Sequence, residues 1–269
     1  PALAERWRIS EDGLTWTFEI RKGVRFHNGQ EVTSDDVLYT FERVLKGPNS
    51  HFFDQIEGAE EWMRGEARSI TGIKVLGRYE IEITLKSPFS AFLSCLATTA
   101  GGIVPRRGDL TREGPVGAGP FRLKTWLRAD RILLEPFREY YEGLPYLDEL
   151  QFLIRKPEEN LSLFRDDKLD QAELGPLEVD KIGLDPEYSR FLVSQPSLNT
   201  QYIGFNLRLD TPFQDKGVRQ ALNFAVDREE FIKTTAVGRA VMAKGVFPPG
   251  LPCYNPNLEG YTYDRDRAR

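Results

Sequence analysis

The sequence is poor in the residues that most often carry catalysis or bind metal ions. Its 269 residues include only two histidines and two cysteines. Two histidines alone cannot complete a zinc site, and neither the His-Glu-x-x-His nor the Cys-x-x-Cys spacing occurs. The Gly-x-Ser-x-Gly motif of many hydrolases is also absent. The sequence therefore predicts no catalytic residues, no metal site, no cofactor and no enzyme activity.

The sequence also lacks an excess of positive charge and a long hydrophobic run. With 36 Lys and Arg against 41 Asp and Glu, its formal net charge is -5. This argues against nucleic acid as a partner, because the phosphate backbone attracts basic surfaces. No apolar run approaches the roughly 18 residues that a membrane-spanning helix needs. The first residues, "PALAERW", also lack the basic and apolar regions of a signal peptide.

What the sequence does contain is typical of a globular α/β protein. In "TWTFEI", large apolar residues alternate with polar ones over positions 15–20, which predicts a half-buried strand. The segment "TSDDVLYTFERVL" then predicts a helix that begins at Thr33 or Ser34. Asp35 and Asp36 lie in its first turn, where carboxylates interact favourably with the helix dipole. We therefore interpret them as helix-start residues and not as a catalytic pair.

The same patterns extend along the rest of the chain. A hairpin is predicted around Gly77 and Arg78, and a short helix in "SPFSAFLSCLATT". The glycines of "GPVGAGPF" lead through Pro120 into a strand, so they lack the following helix that a phosphate-binding loop requires. Further strands are predicted in "FRLKTW", "RILLEPF", "LDELQFLIR", "RFLVS" and "QYIGFNL". Further helices are predicted in "KPEENLSLFRDDKLD", "DKGVRQALNFAV" and "DREEF". Asp227 is expected to cap the last of these, and Gly238 is expected to end it.

Several side chains that could carry function have simpler interpretations. His27 lies in a turn and is expected to be solvated or to cap a neighbouring segment. Trp16 shares one strand face with Phe18 and Ile20, so we assign it to the core. Cys95 lies in an apolar helical run and is expected to be a buried, inert thiol. Cys253 lies in a proline-rich loop and is expected to be exposed, with pairing to a partner outside the chain left open.

Long stretches of the sequence resemble one family. They are "LAERWRISEDGLTWTFEIRKGVRFHNGQEVTSDDVLYTFERV", "IEGAEEWMRGEARSITGIKVLGRYEIEITLKSPFSAFL", "VGAGPFRLKTW", "YYEGLPYLDELQF", "YIGFNLRLDTPFQDKGVRQALNFAVDREEFI" and "GVFPPGLPCYNP". In this order they resemble the extracytoplasmic solute-binding proteins of family 5. These proteins are the peptide-, nickel- and oligosaccharide-binding components of ABC importers. The resemblance covers nearly the whole chain.

The resemblance implies an α/β fold of the periplasmic-binding-protein type, class II, with mixed sheets and flanking helices. Members of the family have three domains and are typically longer at both ends, so an incomplete three-domain architecture is expected here. Residues 1–117 would form a domain II-like lobe, 118–204 part of domain I, and 205–269 the first part of domain III. In the peptide binders, the acidic residue that pairs with the peptide amino terminus lies in a later segment.

The resemblance also implies a function. A short peptide or another small polar solute would be captured between two hinged lobes and delivered to the membrane permease subunits of an ABC importer. The protein would be periplasmic, or extracytoplasmic and anchored to the membrane. An alternative is a ligand-sensing domain of the same fold within a larger regulatory protein.

Two segments are expected to line the ligand cleft. The first is "TTAGGIVP" at 98–105, whose glycines leave room for a ligand to approach the backbone, although a tight turn at a crossover explains them equally well. The second is 199–206, whose polar side chains could instead pack against or cap a sheet edge. Arg219 is expected to form an interdomain salt bridge and not to contact ligand. The candidate ligand-binding residues are Thr98, Thr99, Gly101, Gly102, Tyr202 and Asn206.

Overall fold

The computed structural model of the chain describes residues 2–107, 114–195, 197–209, 211–235 and 239–269. The chain divides into two compact units, Pro1–Arg155 and Lys156–Arg269. This division does not test the three domains inferred from the resemblance, so the boundaries after residues 117 and 204 stay predictions.

A four-stranded antiparallel sheet forms the centre of the first unit. Its strands are β1 (Ala4–Ile9), β2 (Thr15–Ile20), β3 (Ile73–Gly77) and β4 (Glu80–Thr84), in the order β1-β2-β4-β3. The alternation read from the sequence is confirmed in β2, where Trp16, Phe18 and Ile20 are buried. They pack next to Ile81 and Ile83 of β4, which are also buried. The predicted hairpin is confirmed as β3 and β4.

Three helices accompany this sheet and close its core. They are α1 (Ser34–Val44), α2 (Ala59–Arg64) and α3 (Phe92–Leu96). Helix α1 packs against β3 and buries Val37 and Phe41. The ring of Phe41 meets Phe53 edge-on, with centroids 5.0 Å apart. Aromatic side chains from different segments thus meet in the core, and each buries a large apolar area.

A three-stranded antiparallel sheet completes the first unit. Its strands are β5 (Phe121–Leu127), β6 (Arg131–Pro136) and β7 (Leu150–Leu153), in that order. All three were predicted from the sequence. The segment that enters β5, residues 114–120, contacts the connection between β2 and α1, where the backbone N–H of His27 donates to the carbonyl oxygen of Gly117 at 2.8 Å.

The described part of the second unit contains helices and irregular segments. The helices are α4 (Pro157–Arg165), α5 (Pro176–Gly183), α6 (Lys216–Ala225), α7 (Arg228–Thr235) and α8 (Arg265–Ala268). Asp227 caps α7 by accepting from the backbone N–H of Glu230 at 3.0 Å, as its sequence position predicted. The sequence also placed the end of this helix at Gly238, which lies outside the described residues. No helix in the described ranges combines the length and hydrophobicity needed to cross a lipid bilayer.

Two strand predictions in the second unit are wrong. The segment "RFLVS" begins within a short 3₁₀ turn, Ser189–Phe191, and continues without regular structure. The segment "QYIGFNL" is irregular, and Ile203 within it is 81% exposed. Alternating apolar residues become a strand only where a neighbouring strand accepts their backbone hydrogen bonds, and the described residues supply none there. Ile182 is the only fully buried large hydrophobic side chain that the structure describes in this unit.

Candidate functional site

The candidate site in the first unit is the Thr98–Pro105 turn, which follows α3. Within it, Thr99–Gly101 form a single 3₁₀ turn, and Ala100 is buried. The backbone N–H of Gly101 donates to the carbonyl oxygen of Thr98 at 3.0 Å, and that of Gly102 to Thr99 at 3.3 Å. Both glycine N–H groups are therefore used within the turn. A ligand here would meet the Thr99 side chain and backbone carbonyl groups, and not these two donors.

Close packing explains Gly101. A Cβ atom at this position would lie 2.3 Å from the carbonyl oxygen of Leu96, which belongs to α3. That separation is far below van der Waals contact, and a backbone atom cannot move aside as a flexible side chain can. The tight-turn interpretation thus accounts for Gly101. At Gly102 the corresponding contact, with the carbonyl oxygen of Thr99, is 3.3 Å, which is tight but less restrictive.

Helix α1 holds the far end of this turn through two polar side chains. The hydroxyl of Thr40, which is buried, accepts from the backbone N–H of Val104 at 3.0 Å and donates to the carbonyl oxygen of Asp36 at 2.8 Å. The carboxylate of Asp36, also buried, accepts from the backbone N–H of Arg106 at 2.8 Å. Its other oxygen accepts from both the backbone N–H and the hydroxyl of Thr33, each at 2.8 Å. The turn is therefore fixed to the start of a core helix.

The sequence predicted Asp36 as a residue of the helix start, but it did not indicate that Asp36 and Thr40 hold this turn. The spacing of Thr33 and Asp36, a capping residue followed three positions later by an acid, indicates a capping box. Nothing in the local pattern indicates that the same carboxylate also reaches Arg106, which lies 70 positions further along the chain.

The predicted ligand-binding residues of the first unit differ in how accessible they are to a ligand. The hydroxyl of Thr98 donates to the carbonyl oxygen of Cys95 at 2.7 Å, which satisfies the end of α3. Thr99 and Gly102 are exposed, whereas Gly101 is half-buried. The structure thus brings the four residues together in one turn, where Thr99 and Gly102 present the most accessible surface.

The other two predicted residues lie in the second unit. Tyr202 is 77% exposed. The side-chain oxygen of Asn206 accepts from the backbone N–H of Arg208 at 3.0 Å, which stabilises a local turn. Asn206 therefore caps a local turn and not a sheet edge, and its contact with a ligand stays a prediction.

A concavity of about 360 Å³ lies beside α6 in the second unit. Its lining residues are Phe205, Lys216, Arg219, Gln220, Asn223 and Tyr261. Arg219 was expected to form an interdomain salt bridge. Its Nη1 donates instead to the carbonyl oxygens of Phe213 and Gln214, at 2.6 and 2.8 Å, and so holds the short turn before α6.

The two cysteine thiols differ in their surroundings. Cys95 is half-buried; burial, and secondarily the charge of Asp54, raises the pKa of its thiol. The thiol therefore stays protonated near neutral pH, as expected of an inert cysteine. Cys253 is exposed, as predicted.

Within the described ranges, no three His, Cys, Asp or Glu side chains are grouped closely enough to hold a metal ion.

Comparison with known sequences decides the family. Residues 1–269 match the sequence profile of the bacterial extracellular solute-binding proteins, family 5 Middle. The chain belongs to this family. It is 31% identical to the dipeptide-binding protein of Escherichia coli K12, covering 100% of this chain and 53% of that protein. It is 32% identical to heme-binding protein A of Haemophilus influenzae, covering 100% and 52%.

Solved structures of similar proteins have the same fold. The ABC transporter-associated periplasmic binding protein DppA of Helicobacter pylori, solved with the peptide STSA, superposes with a TM-score of 0.72 at 28% identity, covering 100% of this chain and 56% of that one. The oligopeptide-binding protein AppA of Bacillus subtilis, solved with a nonapeptide, gives 0.75 at 25% identity, covering 99% and 53%. The predicted α/β fold of the periplasmic-binding-protein type is confirmed. The chain spans about half the length of these relatives.

Proposed function

We propose that this family 5 chain is part of the solute-binding component of an ABC importer that captures a short peptide or a similar small polar solute. The observation that carries the proposal is the match of all 269 residues to a family of extracellular solute-binding proteins, with a dipeptide-binding relative at 31% identity. A glutathione-binding protein of Salmonella typhi, 30% identical, adds a second peptide-like ligand. The protein would bind its solute without converting it and pass it to membrane permease subunits.

The proposed site includes the Thr98–Pro105 turn as part of one cleft wall. Its attachment to α1 through Asp36 and Thr40 makes it rigid. A rigid turn loses little conformational entropy when ligand binds, which favours binding. Thr99 offers an exposed hydroxyl, and Gly102 allows close approach. Tyr202 offers an exposed ring in the second unit. The protein would act in the periplasm, or outside the cell while anchored to the membrane.

Calorimetric titration of the complete polypeptide that contains this chain tests the function. We expect saturable binding of at least one class of di- or tripeptide, glutathione included. At a ligand concentration of about one hundred times Kd, binding to the native state adds about 2.7 kcal/mol to its stability, so thermal unfolding gives an independent readout.

Heme and nickel serve as competing ligand classes in the same titration. Binding of heme or nickel alone would contradict the peptide assignment but keep the solute-binding function. No response to any class would contradict the function itself. A kinase or DNA-binding domain elsewhere in the complete polypeptide would favour the sensing alternative.

The contribution of the turn is tested by Thr99→Val in the complete polypeptide. The change keeps the branched shape but removes the hydroxyl. If that hydroxyl hydrogen-bonds the solute, affinity for a peptide that binds the parent protein should fall about tenfold, equivalent to about 1.4 kcal/mol. Thr125→Val, at an exposed position on β5, is the matched control and should leave the affinity unchanged. If the two variants bind the peptide with equal affinity, the Thr99 hydroxyl does not contact the solute.

A further inference from the structure

The imidazole of His27 connects two segments of the first unit. His27 lies in the connection between β2 and α1, and its ring contacts the segment that leads into β5. The backbone N–H of Gly117 donates to Nδ1 at 3.2 Å, and Nε2 lies 3.0 Å from the carbonyl oxygen of Gly119. The ring thus contacts both ends of a three-residue stretch of backbone. The sequence predicts a solvated or capping side chain at His27, and this double contact was not predicted.

These two partners determine the protonation state that the contact requires. A backbone N–H can only donate, so Nδ1 of His27 must be unprotonated to accept from Gly117. A carbonyl oxygen can only accept, so Nε2 must carry the proton that is shared with Gly119. Only the neutral ring with its proton on Nε2 satisfies both contacts. In the protonated ring both nitrogens carry a proton, so neither can accept a hydrogen bond. The N–H at Nδ1 would then face the backbone N–H of Gly117.

The surroundings of the ring favour its neutral form. His27 is half-buried, and its ring meets that of Phe137 edge-on, with centroids 5.1 Å apart. Burial is the main cause that lowers the pKa of His27; the hydrogen bond to Gly119 opposes it, and the charge of Arg122 on β5 lowers the pKa further. A second link joins the same β2–α1 connection to the segment after β6, since Arg25 Nε lies 3.4 Å from a carboxylate oxygen of Glu139.

We propose that His27 is a pH-sensitive latch, which holds residues 117–119 against the β2–α1 connection at neutral pH and releases them in acid. The closed state requires the neutral ring, whereas in the open state the imidazole is solvated and takes up a proton near its ordinary pKa of about 6.5. Acidification below that value therefore favours the open state, and raising the pH restores the closed state. The exposed Arg138, beside Phe137, and the Arg25–Glu139 pair are the other charges that flank the contact. Proteins of an extracellular family meet the pH of their surroundings directly, which gives such a latch a signal to respond to.

Nuclear magnetic resonance of the 269-residue chain without ligand tests the latch, so the result does not depend on the proposed function. At pH 7.5 the nitrogen shifts of His27 should show the tautomer protonated at Nε2. Between pH 7.5 and 5, hydrogen exchange of the Gly117 amide, corrected for its intrinsic pH dependence, should accelerate at least about fivefold as its acceptor is lost.

Two variants separate the latch from general acid sensitivity. His27→Gln places a neutral amide that does not titrate in this range, so the corrected exchange of Gly117 should change less than about twofold over the same pH interval. His51→Gln, at the other histidine, which is exposed, should keep the full acceleration. Acceleration that persists in His27→Gln, or constant protection in the parent chain, would overturn the proposal. If His27→Gln does not fold, a parent ring that is protonated at Nδ1, or that shows no preferred tautomer at pH 7.5, would overturn it equally.

Discussion

Asp36→Ala is expected to destabilise the first unit by about 3 kcal/mol, because its buried carboxylate has three donors and the substitution leaves them without an acceptor. Two of the donors belong to Thr33 and start α1, while the third, from Arg106, fixes the segment after the Thr98–Pro105 turn. The loss therefore combines a weakened helix start with the detachment of the turn. A cost of this size is a large fraction of the stability of an ordinary domain.

Asp35→Ala is the matched control. Asp35 is the preceding residue in the same helical turn, but its side chain is 58% exposed and its contact with Arg106 is an ion pair at 3.5 Å. Exposed pairs of this kind contribute little, so we expect a loss below about 1 kcal/mol. Equal losses for the two variants would show that general charge effects, and not the buried hydrogen bonds, explain the cost.

Urea unfolding followed by tryptophan fluorescence is the suitable measurement for both variants. All four tryptophans, Trp7, Trp16, Trp62 and Trp126, lie in the first unit, so the signal reports on that unit and not on the second. Trp16 is buried in the core, and its emission should shift to longer wavelength as the unit unfolds. The free energy of unfolding then follows from the midpoint and slope of the transition.

Gly101→Ala is expected to cost about 2–3 kcal/mol, a typical penalty for forcing extra atoms into a packed site. The added Cβ would lie 2.3 Å from the carbonyl oxygen of Leu96, so either the last turn of α3 or the Thr98–Pro105 turn must move. If this turn forms part of the cleft wall, its displacement should also weaken solute binding by the complete polypeptide.

Gly77→Ala is the control for the removal of a glycine. A Cβ at Gly77 meets nothing within 4 Å, and its φ angle lies outside the left-handed region. We expect a change within about 1 kcal/mol, since alanine is at least as favourable as glycine in an unstrained strand. The fluorescence-monitored unfolding described above measures both variants. If Gly101→Ala is as mild as Gly77→Ala, the turn is adaptable, and the rigid wall proposed for the cleft is wrong.

Most of the secondary structure of the first unit could be predicted because most of its elements carry their own pattern; β1 and α2 were not predicted. The alternation around Trp16 specifies a strand, and the apolar stripe of α1 specifies a helix, before any tertiary contact forms. In the second unit, the predicted strand "QYIGFNL" does not form. Its alternation is as regular, but a strand needs a pairing partner, and the described residues place none beside it.

The candidate site was only partly accessible to prediction. The sequence shows the glycines of the Thr98–Pro105 turn but not why glycine occurs there. Both a tight turn and the close approach of a ligand favour glycine. The short distance from a Cβ atom added at Gly101 to the carbonyl oxygen of Leu96 favours the tight turn at that position. At Thr99 and Gly102, which are exposed, a ligand-contacting role remains our proposal.

By itself, the sequence determined the family resemblance, the α/β class and most elements of the first unit, because these depend on local patterns of polarity. Only the tertiary structure decided what the individual polar side chains do. Asp36 supports a turn 70 positions away, and His27 contacts a backbone segment 90 positions away. Contacts of this kind arise when the chain folds back on itself, and no local spacing of residues encodes them.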